Sequence, residues 1–284
     1  MEVSQKTYIC CYWKIYNMKE LIVRAISGVL YISIIVFAMF SSREWLTGLF
    51  LILALITLNE FLRVLSFKGF IPYLLLVVGF YFLGFLPTND LVIHVFLAAS
   101  VLVNLWLLIK LFSTTNSTPS LAEKYLYSFF YITAGFIFLT RIPFTNLDAK
   151  PGIIISIFVL IWANDTFAYL VGKSIGKHKL MERVSPKKTI EGFFGGMVGA
   201  IIASFIIFKY TSLFSAPIWI AMALLISVIG TAGDLIQSKF KRLAGVKDSG
   251  KLMPGHGGLY DRLDSIIYVA PFVYLFIQVL YYVS

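Results

Sequence analysis

Nine apolar runs follow one another along this chain, separated by short polar segments. Each run comes close to the roughly 20 residues that an α-helix needs to cross about 30 Å of hydrocarbon. This alternation predicts an all-α, polytopic membrane protein with about nine transmembrane helices. The predicted spans lie near residues 22–41, 45–62, 69–87, 91–110, 123–140, 151–171, 190–209, 215–235 and 263–283.

Composition supports a membrane location. Hydrophobic residues make up 59% of the 284 residues and charged residues only 13%, and the mean hydropathy is +0.87. A soluble domain of this length buries its core with far less apolar material, so the surplus is expected to face lipid. We therefore predict a single integral membrane domain at residues 18–284.

Residues 1–17 are predicted to be an N-terminal extension. They contain the adjacent Cys10 and Cys11 but no apolar periodicity. Met18 is an equally suitable native start. The segment lacks the small-residue cleavage site of a removed secretory peptide, so we predict no signal peptide.

The net charge of +10 is explained by membrane topology. With nine spans and a cytoplasmic N-terminus, all but four of the 24 lysines and arginines fall on the cytoplasmic side, where such residues collect. The four exceptions are Arg43, Arg141, Lys150 and Lys209. Because the charge follows topology, we expect no nucleic-acid partner. Two polar loops, between the sixth and seventh and between the eighth and ninth spans, are especially rich in cations.

Asp165 lies inside the sixth apolar run, in the segment WANDTFAYLVG. An ionised carboxylate in hydrocarbon is costly unless it is paired or faces a polar cavity. The alternative is a carboxylate near the cytoplasmic end that Lys173 neutralises or that reaches water. We favour the cavity, because other helix ends have acids at the same depth.

Ser185 and Pro186 precede Lys187, Lys188 and Thr189 at the start of the seventh run. Serine favours the N-cap and proline the first helical position, which predicts that the seventh helix begins here. Its free N–H groups beside two lysines would form a phosphate site. An ordinary capped helix with flanking lysines is an equally supported alternative.

Three more aspartates stand at the ends of the last two runs: Asp234 ends the eighth, and Asp261 and Asp264 begin the ninth. A spacing of three places the last two on one helical face, one turn apart. The helix dipole would explain a single acid at a helix N-terminus, but a cluster that includes Asp165 would repel itself without a cation. Oxygen-only ligands favour a hard metal, most simply Mg²⁺.

The segment between Asp234 and Asp261 combines cations with a glycine-rich turn. Its polar and turn residues are Ser238, Lys241, Arg242, Lys247, Lys251, Pro254, Gly255, His256, Gly257 and Gly258. A metal flanked by phosphate-binding cations and by glycines that allow close approach suits phosphoryl or nucleotidyl transfer. His256 could act as a general acid or base, but we favour a role in holding the loop. No zinc-type cluster and no Walker A or GxGxxG motif occurs.

The run from Ser238 to Asp264, SKFKRLAGVKDSGKLMPGHGGLYDRLD, closely resembles the defining pattern of phosphatidate cytidylyltransferases, also called CDP-diacylglycerol synthases. The segments ANDTFAYLVG and SPKKTIEG resemble the other motifs of that family, in the expected order. Together these motifs span about residues 161–264. Met253 stands where the family usually has Leu, Ile or Phe, an apolar exchange that touches no catalytic group. The N-terminal spans resemble the family only in their hydrophobicity.

The resemblance implies transfer of a cytidylyl group from CTP to phosphatidic acid, which gives CDP-diacylglycerol and pyrophosphate. The lipid phosphate would attack the α-phosphorus of CTP directly, without a covalent enzyme intermediate. The family further implies a metal centre with Mg²⁺ and a second cation, a homodimer, and a cavity that opens to the cytoplasm and sideways to the lipid. The compact chain looks bacterial, which predicts the inner (plasma) membrane.

Carried over residue by residue, the resemblance assigns roles within this site. The metal ligands would be Asp234, Asp261 and Asp264, with Asp165 as a further ligand or a base beside the metal. The residues that hold the triphosphate or the lipid phosphate would be Ser238, Lys241, Arg242 and Lys247, and those that hold the other phosphate Ser185, Lys187, Lys188 and Thr189. The remaining substrate-binding residues would be Asp248, His256, Gly257 and Gly258. Asp248 and Arg262 could instead form a structural pair, and Glu191 could serve either purpose.

Two alternatives stay open. A polyprenol kinase, or a cytidylyltransferase for an isoprenoid ether lipid, would also use metal-bound CTP but with another acceptor. A kinase releases CDP and a cytidylyltransferase releases pyrophosphate, so product analysis separates them. A transporter would bind its cation near the membrane midplane, whereas these acids cluster at the cytoplasmic helix ends and no inverted repeat is apparent.

Overall fold

The computed structural model describes residues 33–38, 40–114, 117–144, 150–250, 252 and 257–283. The predicted extension at 1–17, most of the predicted span at 22–41, and His256 lie outside the described residues. Of that first span, residues 33–38 and 40–41 are described and are helical.

Helices form nearly all of the described structure, and one small β-hairpin lies between two of them. The α-helices are α1 Arg43–Val64, α2 Ile71–Gly79, α3 Asp90–Phe112, α4 Leu121–Leu126, α5 Ala134–Arg141, α6 Gly152–Ile175, α7 Ile190–Tyr210, α8 Ala216–Leu243 and α9 Tyr260–Val283. Wider π-helical turns extend α2 over Phe80–Phe85 and join α4 to α5 over Tyr127–Thr133, and a 3₁₀ turn, Ile142–Phe144, follows α5. The strands are β1 Lys179–Met181 and β2 Ser185–Thr189.

Within the described ranges, seven helices are long and apolar enough to cross a membrane. They are α1, α3, the continuous helix Leu121–Phe144, and α6 to α9. The segment predicted as a span at 69–87 is a shorter apolar helix, Ile71–Phe85, which at about 1.5 Å per residue falls short of a bilayer core. The helical, multi-pass architecture is thus confirmed, while the count of nine spans is not.

Helix α8 is longer than the sequence predicted. Its predicted end was residue 235, but the helix continues to Leu243. Asp234, Ser238 and Lys241 are therefore on consecutive turns of one helix and share a face. The sequence analysis had placed the last two in a loop, because lysines and arginines end the apolar run before they end the helix.

A cluster of buried aromatic rings packs the N-terminal half of the chain against the last two helices. Phe61 of α1 packs edge-to-face on Phe240 of α8 and on Tyr260 of α9, with ring centroids 5.3 and 5.5 Å apart. Tyr131 joins the cluster, and its hydroxyl lies 3.1 Å from that of Tyr260. Such aromatic pairs stabilise beyond their buried area. The start of α9 is thereby fixed against α1.

Glycines let α6 and α7 approach closely. A Cβ atom on Gly195 would lie 2.5 Å from Cβ of Val171, and one on Gly199 would lie 2.4 Å from Cγ of Phe167. Real carbon atoms cannot approach so closely, so these positions of EGFFGGMVGA require glycine. Small residues at helix contacts are a usual means of packing in membranes. The close contact places the end of α6 beside the start of α7.

The hairpin between α6 and α7 corrects one prediction. The strands pair antiparallel, with Lys179 opposite Thr189 and Met181 opposite Ser185. Ser185 therefore lies in strand β2, whereas the sequence predicted it to cap a helix. Thr189 is the N-cap instead, and its Oγ1 accepts a hydrogen bond from the Gly192 amide at 3.1 Å. Pairing with β1 outweighs the local preference of the Ser-Pro pair.

Candidate active site

A polar cavity of about 780 Å³ lies where the end of α6, the hairpin, the start of α7, the end of α8 and the start of α9 meet. All four aspartates that the sequence grouped line it. Its charged residues are Asp165, Asp234, Asp248, Asp261, Asp264, Lys173, Lys179, Lys187, Lys188, Lys241 and Arg262. Carboxylates and cations are thus interleaved around one space inside an otherwise apolar molecule.

Asp234 is paired with a lysine from the hairpin. Its Oδ2 lies 2.5 Å from Nζ of Lys188, and its Oδ1 accepts a hydrogen bond from the Ser238 hydroxyl at 3.3 Å. Burial opposes a charge on Lys188, but the adjacent Asp234 and then Asp165 outweigh it, so the pKa of Lys188 is raised above its ordinary value. Lys188 therefore holds a positive charge at the cavity wall at neutral pH.

Asp261 is held by donors on both oxygens, and its side chain is only 8% exposed. Oδ1 accepts from Lys241 Nζ at 2.8 Å and from Gln237 Nε2 at 3.2 Å. Oδ2 accepts from the amides of Ser249 and Gly258 at 2.8 and 3.0 Å. This carboxylate therefore organises the loop between α8 and α9, in addition to facing the cavity.

Asp264 and Asp165 have fewer donors. Asp264 follows Asp261 by one helical turn, and the donor to its Oδ1 is the adjacent amide of Ser265, at 2.7 Å. Asp165 accepts from Asn164 Nδ2 at 3.3 Å. In the described part of the chain, the ion pairs of cavity carboxylates with lysine are made by Asp234 and Asp261. Asp165 and Asp264 keep acceptor capacity toward the cavity.

The donor chemistry of this wall fits a hard divalent cation. The described residues contain no group of three Asp, Glu, His or Cys side chains that by itself forms a metal centre. The side-chain acceptors at the cavity are nevertheless oxygens, mostly those of its aspartates. Carboxylate oxygens suit Mg²⁺ or Ca²⁺ rather than zinc.

The cavity has cations that the sequence analysis did not assign to phosphate binding. Lys173 reaches it from the end of α6, Lys179 from the hairpin and Arg262 from α9. Lys187, Lys188, Thr189 and Lys241, which were assigned, also line it. Lys179 reaches the cavity because the register of the two strands places it opposite Thr189. Sequence spacing alone does not reveal that pairing.

Several predicted substrate-binding residues do not line the cavity. Arg242 instead donates from Nε to the carbonyl of Val184, at 3.3 Å, and so fastens the hairpin to α8. Glu191 accepts from the ring of His178 at 2.6 Å and thus holds the turn before β1. The other predicted residues outside the described lining are Ser185, Ser238, Lys247, Gly257 and Gly258.

Gly257 has a backbone role. Its φ is +87°, and a Cβ there would lie 2.9 Å from Oδ2 of Asp261. An L-residue is strained in that conformation. Gly257 therefore shapes the turn that delivers the next amide to Asp261.

Sequence reasoning missed Glu60 entirely. This residue of α1 is 4% exposed, and its Oε2 accepts from the amide of Tyr260 at 2.8 Å and from the hydroxyl of Ser249 at 3.1 Å. A lone carboxylate inside an apolar run is a signal that could have found it. Its partners are so distant in sequence that their identity was not predictable.

Several curated proteins are similar to about half of this chain. A phosphatidate cytidylyltransferase of Staphylococcus aureus (strain COL) is 43% identical over 143 residues, which cover 50% of this chain and 53% of that protein. One of Staphylococcus saprophyticus is 39% identical over 148 residues, covering 51% and 55%. An uncharacterized protein of Escherichia coli (strain K12) is 43% identical over 140 residues, covering 49% and 47%.

The chain thus spans about half the length of the curated relatives it matches. A family model matches far more of it, because the model described as "Cytidylyltransferase family" covers residues 22–280. That range includes the hairpin, the cavity and every helix except the last few residues of α9. The chain belongs to the cytidylyltransferase family.

Proposed function

We propose that this protein is a phosphatidate cytidylyltransferase, which condenses CTP with phosphatidic acid to give CDP-diacylglycerol and pyrophosphate. The observation that carries the proposal is the cavity at the ends of α6 and α8 and the starts of α7 and α9, where cations and carboxylates from the three family-like segments of the sequence meet. The activity for which the staphylococcal relatives are named supports it.

The cations of the cavity suit two phosphate-bearing substrates. Lys187, Lys188 and Thr189 lie on the hairpin and Lys241 on the facing helix. Phosphates held between these two sides would be oriented for reaction, and the lysines would stabilise the charge that develops in the transition state. Lys188 is charged when the substrates arrive, since its pKa is raised.

The reaction is an in-line displacement at phosphorus. An oxygen of the lipid phosphate forms a bond to the α-phosphorus of CTP as the bond to the β-phosphate bridging oxygen breaks, and pyrophosphate leaves with that electron pair. The lipid phosphate is ionised at neutral pH, so the displacement requires no covalent enzyme intermediate. The protein contributes orientation and charge stabilisation.

Members of this family generally use a divalent cation, and we propose that Mg²⁺ serves here. Asp234 and Asp264, with Asp165 close by, would hold it, and a second cation could be held by the remaining oxygens. When bound, the metal neutralises charge on phosphate oxygens. Asp261 would act mainly by keeping Lys241 and the loop in place, since its oxygens already accept several hydrogen bonds.

We also propose that the protein lies in the inner (plasma) membrane, forms a homodimer, and has a cavity that opens to the cytoplasm. The support for the orientation is charge: the hairpin and the loop after α8 are lysine-rich, and such loops remain in the cytoplasm. CTP is a cytoplasmic metabolite and phosphatidic acid is a membrane lipid, so a cavity at this level is reached by both.

The test is a transfer assay with detergent-purified protein. Phosphatidic acid, Mg²⁺ and CTP labelled at the α-phosphorus are supplied, and label is sought in the lipid fraction together with released pyrophosphate. Asp264→Asn should abolish both. Asp90→Asn is the matched control, because Asp90 also lies near the N-terminus of a helix but does not line this cavity.

Each result has one meaning. Lipid label and pyrophosphate from wild type and Asp90→Asn alone would support the proposal. Release of CDP, with the terminal phosphate on an alcohol acceptor, would replace it by a kinase. Absence of both products in folded protein with either acceptor would refute cytidylyl transfer and favour a transporter.

A further inference from the structure

Glu60 is a buried carboxylate in the N-terminal half of the chain that contacts the loop between α8 and α9. This loop belongs to the run Ser238–Asp264 that carries the family pattern, and it is called the signature loop below. It lies on α1, and only 4% of it is exposed. Its Oε2 accepts from the Tyr260 amide at 2.8 Å and from the Ser249 hydroxyl at 3.1 Å. Tyr260 is the first residue of α9, and the amides of a helix start lack intrahelical acceptors. Glu60 therefore satisfies the helix from outside its own segment.

The loop backbone wraps closely around this carboxylate. A Cβ on Gly250 would lie 2.4 Å from Oε1 of Glu60, and a Cβ on Gly258 would lie 2.4 Å from Oε2. Both distances are far below any real carbon–oxygen contact. A glutamate about 200 residues earlier in the chain thus requires glycine at position 250. At position 258 glycine is required by Glu60 together with Ser249, whose Oγ would lie 2.3 Å from a Cβ.

Ser249 connects Glu60 to the cavity. Its amide and hydroxyl both lie within hydrogen-bond distance of Asp261 Oδ2, at 2.8 and 3.0 Å, and the hydroxyl also contacts Glu60. Asp261 in turn accepts from Lys241 Nζ at 2.8 Å. A continuous path of hydrogen bonds therefore runs from α1 through the loop to a lysine at the cavity wall.

We propose that Glu60 is a positioning residue of this active site: it holds the signature loop and the start of α9 so that Asp261 and Lys241 keep their places. The inference rests on the proposed function and deepens it. An apolar residue would fill this position if α1 served only to pack, because a buried carboxylate is costly unless it is hydrogen-bonded. The retained carboxylate, with both contacts directed at the loop, indicates a role in alignment.

Two variants of Glu60 test the role. Glu60→Ala removes both hydrogen bonds and should lower kcat about 100-fold, since displacing a catalytic group by about 1 Å has that effect. Glu60→Gln keeps an oxygen for Tyr260 and Ser249 and should stay within about tenfold of wild type, because a neutral acceptor is weaker but correctly placed. Thr57→Val, one turn earlier on α1 and also buried, is the control and should leave kcat unchanged.

A double-mutant cycle gives a readout that general damage would not produce. The three atoms nearest a Cβ on Gly250 all belong to Glu60, so Gly250→Ala should harm the wild type and do little further harm in Glu60→Ala. Non-additivity of this kind supports direct coupling. Effects on kcat that simply multiply, or a Glu60→Ala enzyme with kcat within about twofold of wild type when folded, would overturn the proposal.

Amide exchange separates this inference from the proposed function. In Glu60→Ala, exchange of the amides at 249, 258 and 260 should become faster, while amides of α6 should not change. If wild type fails to transfer label to phosphatidic acid, the proposed activity is wrong, and the exchange result still decides whether Glu60 holds the loop. Unchanged exchange at 249–260 would refute positioning whatever the substrate.

Discussion

Lys188 Nζ and Asp234 Oδ2 lie 2.5 Å apart, and this ion pair joins strand β2 to helix α8 at the cavity wall. The lysine comes from a segment that is extended, not helical as its sequence suggested. The pair is about one-third exposed on each side, so water reduces its contribution to stability. Its main consequence is local: it fixes a cation beside the carboxylates that would hold the metal.

Lys188→Met should reduce cytidylyl transfer about 100-fold, which is the loss typical for removing one group that stabilises transition-state charge. The melting temperature should change little because the pair is partly exposed. Lys188→Arg should recover part of the rate, since it retains the charge. Steady-state kinetics and thermal melting of each purified variant provide the measurements.

Lys209→Met is the matched control for Lys188→Met. Lys209 lies in the last turn of α7, at the opposite end from the cavity, so its loss should leave the rate unchanged. An equal loss of rate in both lysine variants would show that the effect of Lys188 is not local.

The two aspartates of α9 should respond differently to replacement by asparagine. Asp264→Asn is expected to remove activity, by about 100-fold or more, while leaving stability nearly unchanged, because the donor to its Oδ1 is the adjacent Ser265 amide. Asp261→Asn should lose stability as well, by about 2–4 kcal/mol, because its amide would face the N–H groups of Ser249 and Gly258 and leave Lys241 unpaired.

Parallel activity assays and denaturation curves distinguish the two aspartate variants. The expected pattern is loss of rate in both and loss of stability in Asp261→Asn alone. Equal destabilisation of the two would mean that the hydrogen bonds to Asp261 do not hold the loop.

Much of this arrangement was predictable from sequence. The hydropathy pattern located most spans to within a few residues, since apolar length is set by the bilayer. Convergence of Asp165, Asp234, Asp261 and Asp264 on one cavity was expected because all four lie toward the same ends of their apolar runs. Those inferences depend on local pattern, which the membrane constrains strongly.

What was not predictable depends on contacts distant in sequence. Ser185 was assigned to a helix cap because a Ser-Pro pair favours one locally, whereas pairing with β1 decides its conformation. The contact of Arg242 Nε with the carbonyl of Val184 was likewise not indicated by the sequence. No sequence motif identified Glu60, because the amide that it binds, that of Tyr260, is about 200 residues away.

Removal of divalent metal should stop the reaction without unfolding the protein. Chelation by EDTA is expected to abolish transfer, and added Mg²⁺ should restore it, since the cavity oxygens suit a hard cation. Asp264→Asn should need more Mg²⁺ for its residual rate, whereas Asp90→Asn should follow wild type. Full activity in excess EDTA would contradict the metal assignment.

The contact between α6 and α7 should be intolerant of even one methyl group. Gly199→Ala would place a Cβ 2.4 Å from the Phe167 ring, and such overpacking costs about 1–3 kcal/mol. The strain should also move α6, which holds Asp165, away from α7 and from strand β2, which holds Lys188. The rate should therefore fall together with the melting temperature. Gly48→Ala on α1 is the control, because nothing lies within 4 Å of a Cβ there; it should be neutral or stabilising, by up to about 1 kcal/mol, since alanine favours a helix. Thermal melting in one detergent would measure both, and equal melting temperatures for the two variants would show that α6 and α7 do not pack through these glycines.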